Sequence, residues 1–68
     1  MQLPAMLSEA QVASRFGFSV AWLRAARVRG GGPRFVKIGR RVFYRLVDLE
    51  EFVNDRVVSS TSEVAKNG

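Results

Sequence analysis

The arginines of one predicted helix are the side chains of this chain best suited to bind a ligand. Residues 19–29, SVAWLRAARVR, have the pattern of a short helix. At 3.6 residues per turn, its outer side carries small residues beside an arginine, namely Ala21, Arg24, Ala25 and Val28. Small residues allow close approach to a surface, and a guanidinium can hydrogen-bond to base edges or phosphates. This side predicts a recognition helix for DNA; the alternative is an ordinary solvated basic face.

Both ends of this helix carry capping signals. The Ser19 hydroxyl can accept a hydrogen bond from a backbone N–H of the first turn. Phe18 and Leu23 stand at the spacing of a hydrophobic staple, and Gly30 follows where a left-handed C-terminal residue is favoured. The inward side is predicted to comprise Val20, Leu23, Ala26 and the aliphatic stem of Arg27.

Positive charge is concentrated in the middle of the chain. The net charge of the 68 residues is +5, but residues 11–46 contain nine basic residues and no acidic one. The nine are Arg15, Arg24, Arg27, Arg29, Arg34, Lys37, Arg40, Arg41 and Arg45. We interpret these charges as unopposed, and such a segment attracts polyanions through its summed field and through counterion release. Because eight of the nine are arginine, bidentate contacts to phosphate and guanine are favoured.

A second helix is predicted just before the first, and a short turn separates the two. Ser8 and Gln11 fit a capping box, and Leu7 with Val12 fits a hydrophobic staple. Its inward stripe is predicted to be Val12, Ala13 and Phe16. Gly17 ends this helix three residues before the next one begins, which is the spacing of a helix-turn-helix. Residues 1–6 are predicted to form a flexible N-terminal arm.

A β-hairpin is predicted after the glycine-rich stop at residues 30–33. Two β-prone runs flank residues 39–40, a glycine-first pair suited to a two-residue turn. That turn would pair Lys37 with Val42 and Phe35 with Tyr44. We predict an inward face formed by Phe35, Val42 and Tyr44. The tip would present Lys37, Arg40 and Arg41 together for a phosphate or minor-groove contact, unless these charges only guard an exposed edge.

The last predicted element is a helix over residues 48–57. Its apolar stripe is Leu49, Phe52, Val53 and Val57. The acidic residues Asp48, Glu50 and Glu51 favour the helix N-terminus and a solvated face over carboxylate chemistry. Residues 59–68 are low in bulky apolar side chains and are predicted to be a disordered tail. The folded domain is therefore expected to span residues 7–58.

Composition excludes several classes of function. The chain has no cysteine and no histidine, which removes thiolate and imidazole metal ligands and the usual general base at neutral pH. We therefore expect no catalytic residues, no metal and no cofactor, and no enzyme activity. The lack of cysteine fits a reducing cytoplasm, and no apolar run approaches the roughly 20 residues of a membrane helix. A soluble, unsecreted protein is expected.

The motifs between Leu7 and Val57 resemble a known family. The string LSEAQVASRFGFS and the later string GGGPRFVKIGRRVFYRLVDLEEFV, which contains Gly-Pro-x-Phe-Val-Lys-Ile-Gly-Arg-Arg and Asp-Leu-Glu-x-Phe, are similar to the MerR-like excisionase and AlpA-type family of small DNA-binding proteins. The resemblance implies an α+β winged helix-turn-helix: a helix-turn-helix, a β-hairpin wing and a C-terminal helix. It also implies a prokaryotic nucleoid-associated, phage or mobile-element protein.

Site residues follow from the same resemblance. The family's recognition helix meets DNA at the positions of Ser19, Ala21, Trp22, Arg24 and Ala25, and Arg27 and Val28 of the same helix are also predicted to bind DNA. Its wing meets DNA at Lys37, Gly39, Arg40 and Arg41. The chain departs from the family pattern at Arg15, Trp22 and Ala26, so Trp22 is either a DNA contact or a core residue. Phe43, at a usually polar position, is a candidate protein contact.

Three functions remain to be distinguished at the level of sequence. The first is an excisionase, or recombination directionality factor, which binds and bends attachment-site DNA and directs a tyrosine integrase toward excision. The second is an AlpA-type transcription regulator. The third is a protein-interaction module that docks a partner through Phe43 and the last helix. For the first two we expect double-stranded DNA as the ligand, with an integrase or neighbouring copies as partners and a monomer in solution.

Overall fold

The computed structural model describes residues 5–60, which form three helices and a three-stranded antiparallel sheet. The helices are α1 (Glu9–Phe16), α2 (Val20–Arg29) and α3 (Leu46–Asn54). The strands are β1 (Met6–Ser8), β2 (Val36–Ile38) and β3 (Arg41–Arg45), with β3 in the centre of the sheet. The fold is thus α+β. None of the helices within residues 5–60 is long and apolar enough to cross a membrane.

Strand β1 is the element that the sequence did not predict. Met6, assigned to the flexible arm, instead pairs with Arg45, and Leu7 and Ser8 pair with Tyr44 and Phe43. A three-residue strand is too short to show the alternation of apolar and polar residues that predicts a strand. Its backbone nevertheless supplies hydrogen-bond partners to the backbone of β3. Residues 1–4 of the predicted arm and residues 61–68 of the predicted tail lie outside the described residues.

The start of α1 has the predicted capping box. Ser8 Oγ accepts from the Gln11 backbone N–H at 3.2 Å, and Gln11 Oε1 accepts from the Ser8 backbone N–H at 2.8 Å. Gly17 ends the helix in the left-handed conformation, with φ +74° and ψ +14°. These two caps fix both ends of an eight-residue helix that is too short to be stable alone.

The caps of α2 agree with the prediction at its start and differ at its end. Ser19 Oγ accepts from the Trp22 backbone N–H at 2.9 Å, which confirms the N-cap. Gly30 has a positive φ of +88°, but its ψ of 173° is not left-handed helical. The chain thus leaves the helix through a backbone conformation that essentially only glycine adopts, and the following glycines turn back over α2. A Cβ on Gly32 would lie 2.7 Å from the Cβ of Ala26, so α2 and this loop are in close contact.

The core lies between the sheet and the helices. Its buried members are Leu7, Val12, Leu23, Tyr44 and Leu49. Ala13, Phe16, Phe18, Val42 and Leu46 pack against them while partly exposed. The predicted inward stripe of α1 and the assignments of Leu23 and Tyr44 are therefore confirmed. Every element contributes at least one of these side chains except β2, which is held by pairing with β3.

The hairpin forms at the predicted turn and in the predicted register. Lys37 pairs with Val42 and Ile38 with Arg41 around residues 39–40. Gly39 has φ +62°, whereas Arg40 has a negative φ, since only glycines have a positive φ within residues 5–60. A positive φ at the first turn residue and not at the second identifies a type II′ turn. The inward assignment of Phe35 was wrong: it lies before β2, 41% exposed, with its ring centroid 6.4 Å from that of Tyr44.

The third helix is displaced toward the N-terminus relative to the prediction. It spans Leu46–Asn54 instead of residues 48–57. Leu49 and Phe52 are buried as expected, but Val53 and Val57 are exposed. Strand β3 ends at Arg45 and α3 begins at the next residue, so the strand determines which side of α3 faces the core. Phe52 is the last buried residue of α3. Arg56 then folds back and donates hydrogen bonds to the carbonyls of Phe52 and Gly31, both at 3.2 Å.

We expect acid to destabilise the fold in part through Asp48. Arg45 Nε and Nη2 donate to its two carboxylate oxygens at 2.6 and 2.9 Å, and these bonds hold the pKa of Asp48 below its usual range although burial opposes them. A carboxyl with a lowered folded-state pKa stabilises the fold above its unfolded pKa, and this stabilisation is lost as the pH falls through the folded value. The free energy of unfolding should therefore fall less between about pH 5 and about pH 2 in Asp48→Asn than in the wild type.

Urea unfolding at both pH values measures this difference. Glu50→Gln removes an exposed carboxylate from the same helix and serves as the matched control, with a pH dependence like that of the wild type. An equal loss of stability in Asp48→Asn and the wild type would contradict the role given to this pair.

Candidate nucleic-acid interface

The side of α2 that carries Arg24, Arg27 and Val28 faces the tip of the hairpin across an open cleft. One part of the cleft, about 400 Å³, is lined by α2, the hairpin and the start of α1, including Glu9, Arg24, Arg40 and Arg41. The adjoining part, about 600 Å³, adds Lys37 and residues Val28, Phe35 and Gly39. Arg24, Arg27, Arg40 and Val42 line both parts. We call the whole the α2–hairpin cleft.

The cleft brings together seven of the eleven predicted site residues. These are Arg24, Arg27, Val28, Lys37, Gly39, Arg40 and Arg41. They come from two segments separated by the glycine-rich loop, and the register of β2 with β3 determines that the hairpin tip reaches them. Three of the hairpin cations, Lys37, Arg40 and Arg41, are exposed. The arrangement can present several guanidinium and ammonium groups to one polyanion.

The remaining predicted site residues lie on other sides of α2. Ser19 is the N-cap, and its hydroxyl is already used by the Trp22 backbone N–H. Ala21 is exposed and Ala25 is half-buried, and neither lines the cleft. Both remain small residues that would not obstruct the approach of a ligand to α2.

Trp22 packs in an aromatic cluster on the side of α2 away from the cleft. Its ring centroid lies 5.2 Å from that of Phe18 and 5.9 Å from that of Phe52. It stays 36% exposed, so one edge of the indole remains in contact with solvent. Gly32 covers Ala26, which explains why α2 carries a small residue there and its aromatic residue one turn earlier. These contacts favour the packing role over DNA contact for Trp22.

A chain of polar contacts runs beneath the cleft from the hairpin to α2 and α1. Tyr44 is fully buried, and its hydroxyl accepts from Arg27 Nη1 at 2.7 Å. Arg27 Nη2 lies 3.0 Å from Glu9 Oε2, and Glu9 Oε1 accepts from Arg24 Nε and Nη2 at 3.1 and 2.8 Å. The Arg27 side chain is only 18% exposed, so it acts first as a support that joins three elements.

These contacts shift the pKa values of the groups that make them. The hydrogen bond from Arg24 is the main cause that lowers the pKa of Glu9, and it outweighs the opposing effect of burial. The same bond raises the pKa of Arg24. Glu9 is therefore ionised and both arginines are charged at neutral pH. The chain of contacts is thus a carboxylate held between two cations.

The nine basic residues are not all unopposed, contrary to the sequence interpretation. Arg24 and Arg27 pair with Glu9, and Arg45 pairs with Asp48. Within residues 5–60, the other six form no ion pair; they are Arg15, Arg29, Arg34, Lys37, Arg40 and Arg41. Arg41 stacks over the Phe43 ring with its Cζ 5.0 Å from the ring centroid. The hairpin tip thus holds half of the six, which makes it the densest unpaired positive region described.

The chain matches no family model, and it matches no curated protein. The side chains of the cleft and their charges therefore provide the basis for a functional assignment.

Glu9 and Phe35 line the cleft and contact Arg27, and neither was predicted to be a site residue. Glu9 was not predicted as a site residue, because its partners Arg24 and Arg27 are 15 and 18 residues away and no local spacing links them. Phe35 was assigned to the core, but it lines the cleft with Arg27 Cζ 5.8 Å from its ring centroid. Only the lone position of Glu9, just before a long segment without acids, could have drawn attention to it.

Proposed function

We propose that the protein is a sequence-specific DNA-binding accessory factor whose α2 enters the major groove while the β2–β3 hairpin contacts the flanking backbone or minor groove. The major groove of B-DNA is about 12 Å wide and accommodates one helix. In this proposal α1 and α2 form a helix-turn-helix and the hairpin is the wing. The chemistry is binding alone, with no catalytic residue, metal or cofactor.

One observation carries the proposal: cations from α2 and from the hairpin tip line the same cleft. Arg24 on α2 and Arg40 on the hairpin both border each of its two parts. Exposed arginines on two elements can contact the base edges of one groove and the phosphates beside it. An ordinary solvated basic face does not require two distant segments to present their charges across a shared concave surface.

The small residues of α2 also support a close approach to DNA. Ala21 is exposed on the helix, and Val28 is 88% exposed at the border of the cleft. An exposed β-branched residue can make apolar contact with a thymine methyl group, whereas a long polar chain there would hold the helix away from the bases. The pattern supports reading of sequence in addition to attraction to phosphate.

Among DNA-binding functions, we favour an excisionase that directs a tyrosine integrase toward excision. This choice follows the resemblance of residues 7–57 to the MerR-like excisionase and AlpA-type family. A monomer of this size covers few base pairs, so neighbouring copies on DNA or a bound integrase would supply the remaining selectivity. An AlpA-type transcription regulator would use the same cleft, and an adjacent integrase gene favours excision over transcription control. Exposed Val47 and Val57 near α3 offer a surface for a protein partner in either case.

Bending of the DNA is the expected consequence of two contacts on adjacent parts of the duplex. We expect gel mobility of the complex to vary with the position of the binding site in a circularly permuted series of attachment-site or promoter fragments. Bending costs a few kcal/mol, which the contacts of Arg40 and Arg41 with the backbone can offset. The Arg40→Ala/Arg41→Ala variant should therefore bind with less curvature.

Arg15→Ala/Arg29→Ala is the matched control, because it removes two unpaired arginines that do not line the cleft. It should keep the curvature of the wild type. Uniform mobility across the series, with a single monomer bound per fragment, would reject the excisionase role and leave a simple repressor or activator.

A further inference from the structure

Glu9 is the one acidic side chain that lines the α2–hairpin cleft within residues 5–60. An acid is unexpected in a surface proposed to bind phosphate, because it repels the ligand and cancels nearby positive charge. Its side chain is 20% exposed, and its carboxylate is shared by the two arginines of α2 that border the cleft. Oε2 is buried and lies 3.0 Å from Arg27 Nη2 without hydrogen-bond geometry, so Glu9 has no oxygen directed toward a ligand.

The contact with Glu9 uses only one edge of the Arg24 guanidinium. Nε and Nη2, which form the side edge, both donate to Glu9 Oε1. A guanidinium has five N–H groups in a rigid planar fork, so the end edge formed by Nη1 and Nη2 remains available. Nη1 has no acceptor among the described residues, and the Arg24 side chain is 65% exposed. The available edge has the donor pair that binds O6 and N7 of guanine.

We propose that Glu9 is a positioning residue that holds Arg24 for bidentate recognition of one guanine. This inference rests on the proposed DNA-binding function and adds to it the base that Arg24 reads and the residue that makes the reading selective. Glu9 acts through Arg24 and does not itself contact DNA.

The position of Glu9 is itself fixed from three sides. The capping box between Ser8 and Gln11 holds the first turn of α1, where Glu9 is the first residue. Pairing of Ser8 with Phe43 fixes that turn to the sheet. Arg27, anchored on the buried Tyr44 hydroxyl, lies against the second carboxylate oxygen. A guanidinium bound to such a rigid acceptor is held within a narrow range of orientations.

The Glu9–Arg24 ion pair matters more for the orientation of Arg24 than for the stability of the fold. An ion pair with an exposed partner such as Arg24 contributes little to folding. When a long side chain becomes ordered only on binding, the affinity falls by about two- to tenfold. Glu9 orders Arg24 in the folded protein before DNA binds, so this loss is avoided. The gain applies only where an acceptor pair lies at the place to which Arg24 is held, and among the base edges of the major groove guanine alone presents two acceptors, O6 and N7. Glu9 should therefore raise selectivity while it lowers general attraction.

The test compares the full-length wild-type protein with Glu9→Ala, Glu9→Gln and Arg24→Ala. Random-sequence duplexes are first enriched by binding to the wild type, and the guanine that Arg24→Ala ceases to prefer marks the contacted position. Affinities are then measured for the enriched duplex, for the same duplex with each other base pair or with 7-deazaguanine at that position, and for a random duplex. Glu50→Ala on α3 is the control, since it removes an exposed carboxylate outside the cleft.

The preference for guanine over the other bases should be about tenfold or more in the wild type, and 7-deazaguanine should weaken its binding. Glu9→Ala should lose most of this preference, and Glu9→Gln should keep part of it because its amide oxygen still accepts from Arg24. Both neutral variants should bind the random duplex about two- to fivefold more tightly at low salt, since a negative charge has been removed. Glu50→Ala should behave as the wild type.

Three results would overturn the inference. Glu9→Ala could keep the full preference for guanine, it could bind both duplexes more weakly by the same factor with a lower melting temperature, or it could gain affinity for the enriched duplex as much as for the random one. The second result would make Glu9 a structural residue, and the third would make it a group that withholds Arg24 from DNA. If the wild type enriches no sequence and binds no duplex, the proposed function itself fails.

Discussion

Raising the salt concentration from about 50 to about 200 mM is expected to weaken binding to duplex DNA by about 250- to 1,000-fold. Of the nine basic residues between residues 11 and 46, six form no ion pair within residues 5–60, and the cleft adds Arg24, whose end edge is available. Four to six phosphate contacts by this group correspond to a slope of log K against log salt of about −4 to −5. Fluorescence anisotropy with a labelled duplex at four or five salt concentrations gives the slope.

Two single variants show which cations make these contacts. Arg41→Ala removes an exposed arginine from the hairpin tip and should make the slope less steep by about one. Arg15→Ala removes an exposed arginine from the end of α1, outside the cleft, and should leave the slope unchanged. A flat response of the wild type to salt would reject DNA binding and favour a protein-interaction module. Equal slopes for the two variants would place the interface elsewhere.

Leu23→Ala is expected to lower the free energy of unfolding by about 2–4 kcal/mol. Leu23 is fully buried on α2 and packs in the core with Val12, Tyr44 and Leu49. Because α1, the sheet and α3 all contribute side chains to this core, the cavity left by the substitution can be filled only by moving several elements. A chain of 68 residues has a total stability of about 3–10 kcal/mol, so the substitution removes a large share of it and should lower the melting temperature by about 10–30 °C.

Thermal and urea unfolding followed by far-ultraviolet circular dichroism measure this effect. Val28→Ala is the control on the same helix, because Val28 is exposed and alanine has the higher helix propensity. Its midpoint should equal or slightly exceed that of the wild type. A Leu23→Ala midpoint within error of the wild-type value would mean that α2 does not pack through this face.

Local features of the chain were predictable where neighbouring residues determine them. The capping box of Ser8 and Gln11, the N-cap Ser19 and the turn at residues 39–40 involve partners within three residues of each other. Their geometry depends on hydrogen-bond reach and on the positive φ of Gly39, so residue type and spacing suffice. The inward face of α2 was predictable for a similar reason, since one helical period places Leu23 and Ala26 on the same side.

Features that depend on the contact of distant segments were mispredicted or missed. Strand β1 is only three residues long and exists because β3 offers backbone groups to pair with. Phe35 and Val53 are apolar and fit an inward pattern, but both are exposed. The buried positions are occupied by other side chains, including Tyr44, Leu49 and Phe52. For so small a domain, the available buried volume decides which apolar residues stay outside.

The sequence by itself determined the caps of α1, the N-cap of α2, the hairpin register and the concentration of basic residues between residues 11 and 46. Only the tertiary structure decided which of those charges are paired. Glu9 lies 15 residues from Arg24 along the chain, yet its oxygen lies 2.8 Å from the guanidinium. The reason is physical: cap and turn geometry depends on bonds between near neighbours, whereas the strength of an ion pair depends on a distance and a burial that exist only after α1, α2 and the sheet have packed together.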